Sequence, residues 1–278
     1  MHPTTQKSND GPQFTAVLAC FFLSGFAALV YQTAWLRQFS VVFGTSELAV
    51  ATVLAAYMAG LALGATAAGK LLHRIKRPVL WYGILEAGVA LGALLVPLGL
   101  RGARLMQDLL IGDQSALVDS GGPAQSAFYL MTTFLVVLVP TTCMGATLPL
   151  LTRHVVRRRD HIGPRVGLLY TTNTAGAVVG TLAGAFVFLP QYGLAGTIYV
   201  GVAANALVFI LAALIATRTP QPVPDPSSSM DERAAKKEVI PDDRVRWILP
   251  LIAISGSVSF TYEVLWTRLL SHILGGSI

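Results

Sequence analysis

A single carboxylate inside a long apolar run is the first residue of this sequence that could do chemistry. Glu86 is the only charged residue in the run 79–100. A charge at membrane depth costs about 2.5–3.5 kcal/mol on insertion scales, and such residues usually have a function. Glu86 is therefore a candidate to bind a cationic substrate or to exchange a proton. The alternative is a structural Glu that is protonated or hydrogen-bonded to a neighbouring helix.

Polar and aromatic side chains in other apolar runs are further candidate ligands. Tyr31 and Trp35 are one helical turn apart on one face. This spacing fits an aromatic cage for a cation or an aromatic belt at the membrane surface, and the belt is favoured because Trp35 ends its run. Gln32 and Glu263 each lie between a Tyr and a Trp, where ligand binding and a bond between helices are equally expected. Asn173 is expected to bond across a helix interface, with cavity lining as the alternative.

Two distant stretches of the chain are copies of one another. Residues 24–47 and 255–278 align without gaps, and eight of the 24 positions are identical. A repeat at such a distance indicates a duplicated membrane unit, which is the plan of many transporters. It also predicts that the chain stops just as its second unit begins. The identical positions of the first copy are Ser24, Gly25, Tyr31, Trp35, Arg37, Ser40, Gly44 and Ser46.

The composition is that of a protein embedded in lipid. Hydrophobic residues make up 54% of the 278 residues and charged residues 12%, against about 25% charged in an ordinary soluble domain. The apolar runs are long enough to cross about 30 Å of hydrocarbon as helices. The sequence therefore predicts an all-α polytopic membrane protein whose first partner is the lipid bilayer. The predicted spans are 14–36, 47–69, 79–100, 126–151, 167–189, 193–216 and 247–270.

The spans divide the chain into four segments. Residues 1–13 are predicted to be a disordered cytoplasmic tail, and 14–216 a six-span membrane unit. Residues 217–246, rich in Pro, Ser and charge, are predicted to be a cytoplasmic linker. Residues 247–278 are predicted to contain the first span of a second, truncated unit. Six spans, a linker and a restarted first span match the 6+6 plan of the major facilitator superfamily.

Lys and Arg are concentrated in alternate connections between the spans. They follow the second, fourth and sixth spans, whereas the other connections carry few. Because Lys and Arg are retained on the cytoplasmic side, the amino terminus is predicted to be cytoplasmic. Topology also explains the net charge of +6 better than nucleic-acid binding does. The Lys and Arg residues that follow these three spans are Lys70, Arg74, Lys76, Arg77, Arg153, Arg157, Arg158, Arg159, Arg165, Arg218, Arg233, Lys236, Lys237, Arg244 and Arg246.

Two short segments predict local structure, and a set of glycines predicts where helices pack together. Residues 103–111 are predicted to form a short interfacial helix outside the membrane, and residues 190–192 a tight turn. Small residues at four-residue spacing allow helices to approach closely in lipid. The helix-packing positions predicted in this way are Gly60, Gly64, Gly176, Gly180 and Gly184.

The sequence contains no catalytic motif of the kind found in soluble enzymes. There is no phosphate-binding loop, nucleophile elbow or paired carboxylate in a soluble region. Cys20 and Cys143 lie singly in apolar runs, without the spacing of a disulfide or a metal site. No catalytic residue, metal site or cofactor is therefore predicted for this chain.

Four stretches together resemble the bacterial membrane proteins called fused MFS/spermidine synthases. They are SGFAALVYQTAWLRQFSVVFGTS from residue 24, LAAYMAGLALGATAAGKL from 54, MGATLPLLTRH at 144–154 and GLLYTTNTAGAVVGTLAGAFVFLPQYGL at 167–194. The resemblance implies that a multi-span portion precedes a soluble spermidine-synthase-like domain. That domain would use decarboxylated S-adenosylmethionine and lie outside this chain. The resemblance also implies a bacterial inner membrane location.

Two functions follow as expectations, and a free-standing facilitator-like transporter, cut short in this chain, is a third alternative. The first is a transporter-type unit for a small cationic metabolite such as a polyamine, with Glu86, Gln32, Tyr31, Asn173 and Glu263 as candidate ligands. The second is a membrane anchor that does not transport and belongs to a polyamine aminopropyltransferase. In both, the second membrane half and the synthase domain are the missing partners of this chain.

Overall fold

A computed structural model describes residues 10–43, 47–111, 123–155, 162–218 and 245–274. The chain divides into two compact units, Met1–Thr219 and Pro220–Ile278, which are described separately below. The predicted linker lies largely outside the described residues, as do residues 1–9 of the predicted tail. Residues 10–13 of that tail belong to the first helix, which begins at Asp10.

Helices form all the regular structure within the described ranges. This follows from the apolar sequence, because a chain in lipid must satisfy its backbone hydrogen bonds internally. Within the described residues, five stretches are long and apolar enough to cross a membrane, and the last of them, Gly163–Arg218, contains two successive helices. None of the five lies in residues 245–274, where the seventh span was predicted. The first unit consists of α1 Asp10–Phe43, α2 Glu47–Leu71, a 3-10 turn Leu72–Arg74, α3 Pro78–Ile111, α4 Pro123–Val155, α5 Ile162–Ala183, a π-helical turn Gly184–Phe188 and α6 Leu189–Arg218.

The first unit is built from two interleaved groups of three helices. α1 packs against α5 and α6, α4 packs against α2 and α3, and α3 packs against α6. Exchanging α1, α2 and α3 for α4, α5 and α6 turns the α1–α5 pair into α4–α2 and the α1–α6 pair into α4–α3, and it leaves the α3–α6 pair unchanged. This pattern is that of the 3+3 repeats found within one half of a facilitator-type transporter. The all-helical, polytopic fold predicted from the sequence is confirmed.

Glycines allow the closest helix approaches in this unit. A Cβ at Gly60 or Gly64 of α2 would overlap Thr141 or Thr142 of α4. A Cβ at Gly176 or Gly180 of α5 would overlap the backbone of α1 at Phe22 or Phe26 in the same way. These two glycine pairs occupy corresponding places in the two groups of three helices. Gly184 is less crowded, since its nearest neighbour is Thr33 Cβ at 3.6 Å.

Two local predictions from the sequence are wrong. Residues 103–111 do not form a separate interfacial helix, because α3 continues without a break to Ile111. The predicted turn at 190–192 is helical, and the backbone break lies one residue later, at Gly193 with φ of 66°. Glycine adopts this left-handed conformation without a steric penalty, so the reversal between α5 and α6 depends on Gly193 rather than on Pro190.

The second unit contains one described helix, α7, from Val245 to Leu274. It includes the second copy of the sequence repeat. Tyr262 and Trp266 are the counterparts of Tyr31 and Trp35, and their rings lie 6.0 Å apart at an angle of 45°.

Candidate functional site

Glu86 lies between two hydrophobic clusters of the first unit. One cluster contains Val89, Ala93 and Val96 of α3, and the other contains Val79 and Tyr82 of the same helix. Glu86 is between them in sequence and only 1% exposed. The carboxylate predicted from the sequence is therefore enclosed within the helix bundle.

Two side chains from other helices bond to Glu86. Ser24 Oγ of α1 donates a hydrogen bond of 2.5 Å to the carboxylate Oε1. Asn205 Nδ2 of α6 donates a hydrogen bond of 3.2 Å to the Glu86 backbone carbonyl. No Lys, Arg or His within the described ranges pairs with this carboxylate. The site therefore joins three helices around a carboxyl group that has hydrogen bonds but no cationic partner among the described residues.

Four buried polar atoms of α1 and α6 have no hydrogen-bond partner among the described residues. An unsatisfied buried polar group costs about 1–3 kcal/mol. Such groups are normally satisfied by ordered water or by a ligand. The atoms are Tyr31 Oη, Trp35 Nε1, Gln38 Oε1 and Asn205 Oδ1. The hydroxyl of Tyr82, one turn before Glu86 on α3, takes part in the hydrogen bonding of Ser24 and Glu86.

Tyr31 and Trp35 form a stacked pair within the core. Their ring centroids are 5.5 Å apart and the rings are inclined by 12°. Both residues are fully buried, so the predicted place of Trp35 in an interfacial aromatic belt is wrong. The pair fits because α6 presents Gly201 to it, where a Cβ would lie only 2.6 Å from Tyr31 Cε1. A missing side chain on α6 thus makes room for the ring of Tyr31.

Gln32 and Asn173 are not brought to Glu86 by any contact among the described residues of the first unit. Gln32 is partly buried and is rotated by about 100° from Tyr31 on α1. Asn173 Nδ2 of α5 donates a 3.0 Å hydrogen bond to the Phe21 carbonyl of α1, a bond across a helix interface. Glu263 lies in α7, in the second unit, and is exposed.

Two residues of this site were missed from the sequence. Tyr82 precedes Glu86 by one helical turn, and Asn205 is an amide inside the apolar run 193–216. A polar residue within a span was a usable signal for Asn205. Tyr82 had no such signal, since tyrosine is common near span ends, and only the packing of α1 against α3 and α6 reveals its position.

The described residues contain no cluster of three or more His, Cys, Asp or Glu side chains that could hold a metal ion. Cys20 is buried in α1 and Cys143 is partly buried in α4, both as free thiols. The candidate site therefore offers one carboxylate, hydroxyls, an amide and aromatic rings. This set suits hydrogen bonding and the attraction of a cation.

The helical fold and the enclosed polar site define a polytopic membrane protein of transporter type. The sequence matches the family profile of the Major Facilitator Superfamily over residues 14–277. The chain therefore belongs to the major facilitator superfamily. Comparison with curated proteins gave no significant match. Comparison with solved structures gave none either.

Proposed function

We propose that the six-helix unit moves a small cationic metabolite, with a polyamine as the first candidate, and that Glu86 supplies the counter-charge. The observation that carries this proposal is the burial of Glu86 at 1% exposure without a cationic partner among the described residues. A buried charge requires a partner of opposite charge or a proton. A cationic substrate would be such a partner.

The neighbours of Glu86 support a cation rather than an anion as the substrate. An ammonium group donates three hydrogen bonds and accepts none. Acceptors near Glu86 include its own carboxylate and Asn205 Oδ1, which lacks a partner among the described residues. The aromatic faces of Tyr31 and Trp35 also attract cations. Gln32 is proposed as an additional ligand from α1, and Glu263 as its counterpart in the second unit.

The proposal extends to the setting of the unit. An amino terminus in the cytoplasm is supported by the concentration of Lys and Arg after the second, fourth and sixth spans. A bacterial inner membrane and a downstream spermidine-synthase-like domain are supported by the resemblance of residues 14–216 to the fused MFS/spermidine synthases. Polyamines would then be common to the membrane unit and the synthase domain.

The test is the flux of labelled spermidine into proteoliposomes that contain the full-length protein. Glu86→Gln removes the charge but keeps a group that accepts a hydrogen bond from Ser24. A hydrogen bond to a charged group contributes about 1.5–3 kcal/mol, so we expect the apparent affinity to fall by about tenfold or more. Glu86→Asp, which keeps the charge, should retain part of the flux.

Two results would contradict the proposal in different ways. Equal flux through the wild type and Glu86→Gln would remove Glu86 from the substrate site. Absence of flux for spermidine and for other small cations would contradict transport itself. Retained aminopropyltransferase activity in that second case would favour the alternative function, a membrane anchor that does not transport.

A further inference from the structure

One face of α1 carries a row of buried polar groups that begins at Ser24, beside Glu86 of α3. Ser24, Tyr31, Trp35 and Gln38 fall within a sector of about 60° on an ideal helix, and the row is about 21 Å long. Ser24 bonds to Glu86. Each of the three later residues has one polar atom without a hydrogen-bond partner among the described residues, namely Tyr31 Oη, Trp35 Nε1 and Gln38 Oε1, although each residue is at least nine-tenths buried.

The other walls of this row come from α3 and α6. The ring of Tyr31 faces Gly201 of α6. One turn further along α6, Asn205 bonds to the Glu86 backbone through Nδ2, and its Oδ1 has no partner among the described residues. The row therefore lies inside the six-helix unit, between α1, α3 and α6.

The two sides of Glu86 differ. Towards the end of α1, the side chains that follow are Tyr31, Trp35 and Gln38, each with an unpartnered polar atom. Towards the beginning of α1 lies the apolar cluster that contains Val17, Phe21 and Tyr82, and the Tyr82 hydroxyl takes part in the hydrogen bonding of Glu86. The polar groups thus connect Glu86 to one side of the membrane.

We propose that the α1 face from Tyr31 to Gln38 is a hydrated access path along which a small ammonium cation reaches Glu86. The path opens on the side of the membrane where α1 ends. Gln38 Oε1 and Asn205 Oδ1 accept hydrogen bonds from the cation or its water shell, and the Tyr31 and Trp35 rings attract its charge. Trp35 Nε1 is a donor only and bonds to water. This inference rests on the proposed function in that it takes Glu86 as the cation-binding group.

The test is the reactivity of single cysteines with membrane-impermeant methanethiosulfonates. The background is Cys20→Ala together with Cys143→Ala, since these are the two cysteines of the chain. Tyr31→Cys and Gln38→Cys place thiols on the path at two depths. The matched control is Val30→Cys, because Val30 is also fully buried but points about 100° away from Tyr31.

We expect a quaternary-ammonium reagent to label Tyr31→Cys and Gln38→Cys from the side where α1 ends, and to leave Val30→Cys unlabelled. A sulfonate-bearing reagent should react at least tenfold more slowly at Tyr31→Cys. Addition of Glu86→Gln should bring the two rates together. Size-exclusion profiles like that of the background protein would show that each variant is folded, and Gln38→Cys keeps the test valid if Tyr31→Cys does not fold.

Labelling of Val30→Cys at the same rate would overturn the path, as would labelling from the opposite side only. Lack of reaction at both Tyr31→Cys and Gln38→Cys would overturn it as well. These outcomes are independent of the transported metabolite. Labelling without spermidine flux would therefore contradict only the proposed function, and flux without labelling would contradict only the path.

Discussion

At the scale of single residues, the central feature is a carboxylate held by neutral partners. Glu86 is bonded through Ser24 of α1 and through Asn205 of α6. The sequence predicts Glu86 because a lone charge in an apolar run is costly. It could not predict which helices surround that charge, because the contacts are made by residues 62 and 119 positions away in the chain.

The Ser24–Glu86 hydrogen bond should contribute measurably to stability. Ser24→Ala leaves the carboxylate without its hydroxyl donor, and we expect a loss of about 1–3 kcal/mol in the free energy of unfolding. In the background of Glu86→Leu the same change should cost much less, because no charge is then left unpaired. Thermal unfolding of the four proteins in detergent measures this double-mutant cycle. Equal losses in both backgrounds would show that the two side chains are not coupled.

At the scale of helices, the two copies of the sequence repeat differ in the geometry of their Tyr–Trp pair. In α1 the Tyr31–Trp35 pair is stacked and buried against Gly201. In α7 the same pair is tilted and more than half exposed, at 54% for Tyr262 and 63% for Trp266. Both copies therefore place the two rings one helical turn apart, and the ring geometry differs between them.

The glycines of α2 provide a matched test of helix packing. A Cβ at Gly64 would overlap the Thr142 carbonyl of α4, whereas a Cβ at Gly69 meets nothing within 4 Å. We expect Gly64→Ala to lower the free energy of unfolding by about 1–3 kcal/mol through overpacking. Gly69→Ala should be neutral or stabilising by up to about 1 kcal/mol, because Ala favours a helix over Gly. Thermal unfolding in detergent checks both, and similar values would contradict the close α2–α4 contact.

At the scale of the whole first unit, three helix ends meet at one Arg. Arg165 Nη1 of α5 donates a 2.8 Å hydrogen bond to the Val155 carbonyl at the end of α4. Its guanidinium lies 5.5 Å from the centroid of the Phe14 ring near the start of α1. The starts of α1 and α5 and the end of α4 therefore lie at one end of the bundle. This arrangement is the one expected if alternate connections share a membrane side.

The proposed orientation can be tested with reporter fusions. We expect a phosphatase fused after Asp113 to be active, because this enzyme folds only outside the cytoplasm, and a phosphatase fused after Arg157 to be inactive. A fluorescent protein that matures only in the cytoplasm should give the opposite pattern at the two positions. Both residues in the same compartment would contradict the alternation of the spans and with it the transporter plan.

The sequence by itself determined the fold class, the helices of the first unit and the candidate charge at Glu86. These features depend on local properties, namely runs of apolar residues, their length against the bilayer and the cost of a charge within them. The end of the α5–α6 turn and the length of α3 were mispredicted, because helix ends in apolar segments have weak local signals.

Only the tertiary structure decided the composition of the site. Ser24 and Asn205 join Glu86 because α1, α3 and α6 pack together, and Trp35 moves from an expected surface position into the core because Gly201 makes room for its neighbour Tyr31. Asn173 bonds to α1 instead of joining Glu86 through any described contact. Such placements depend on side chains far apart in the chain meeting in space, which no local pattern specifies.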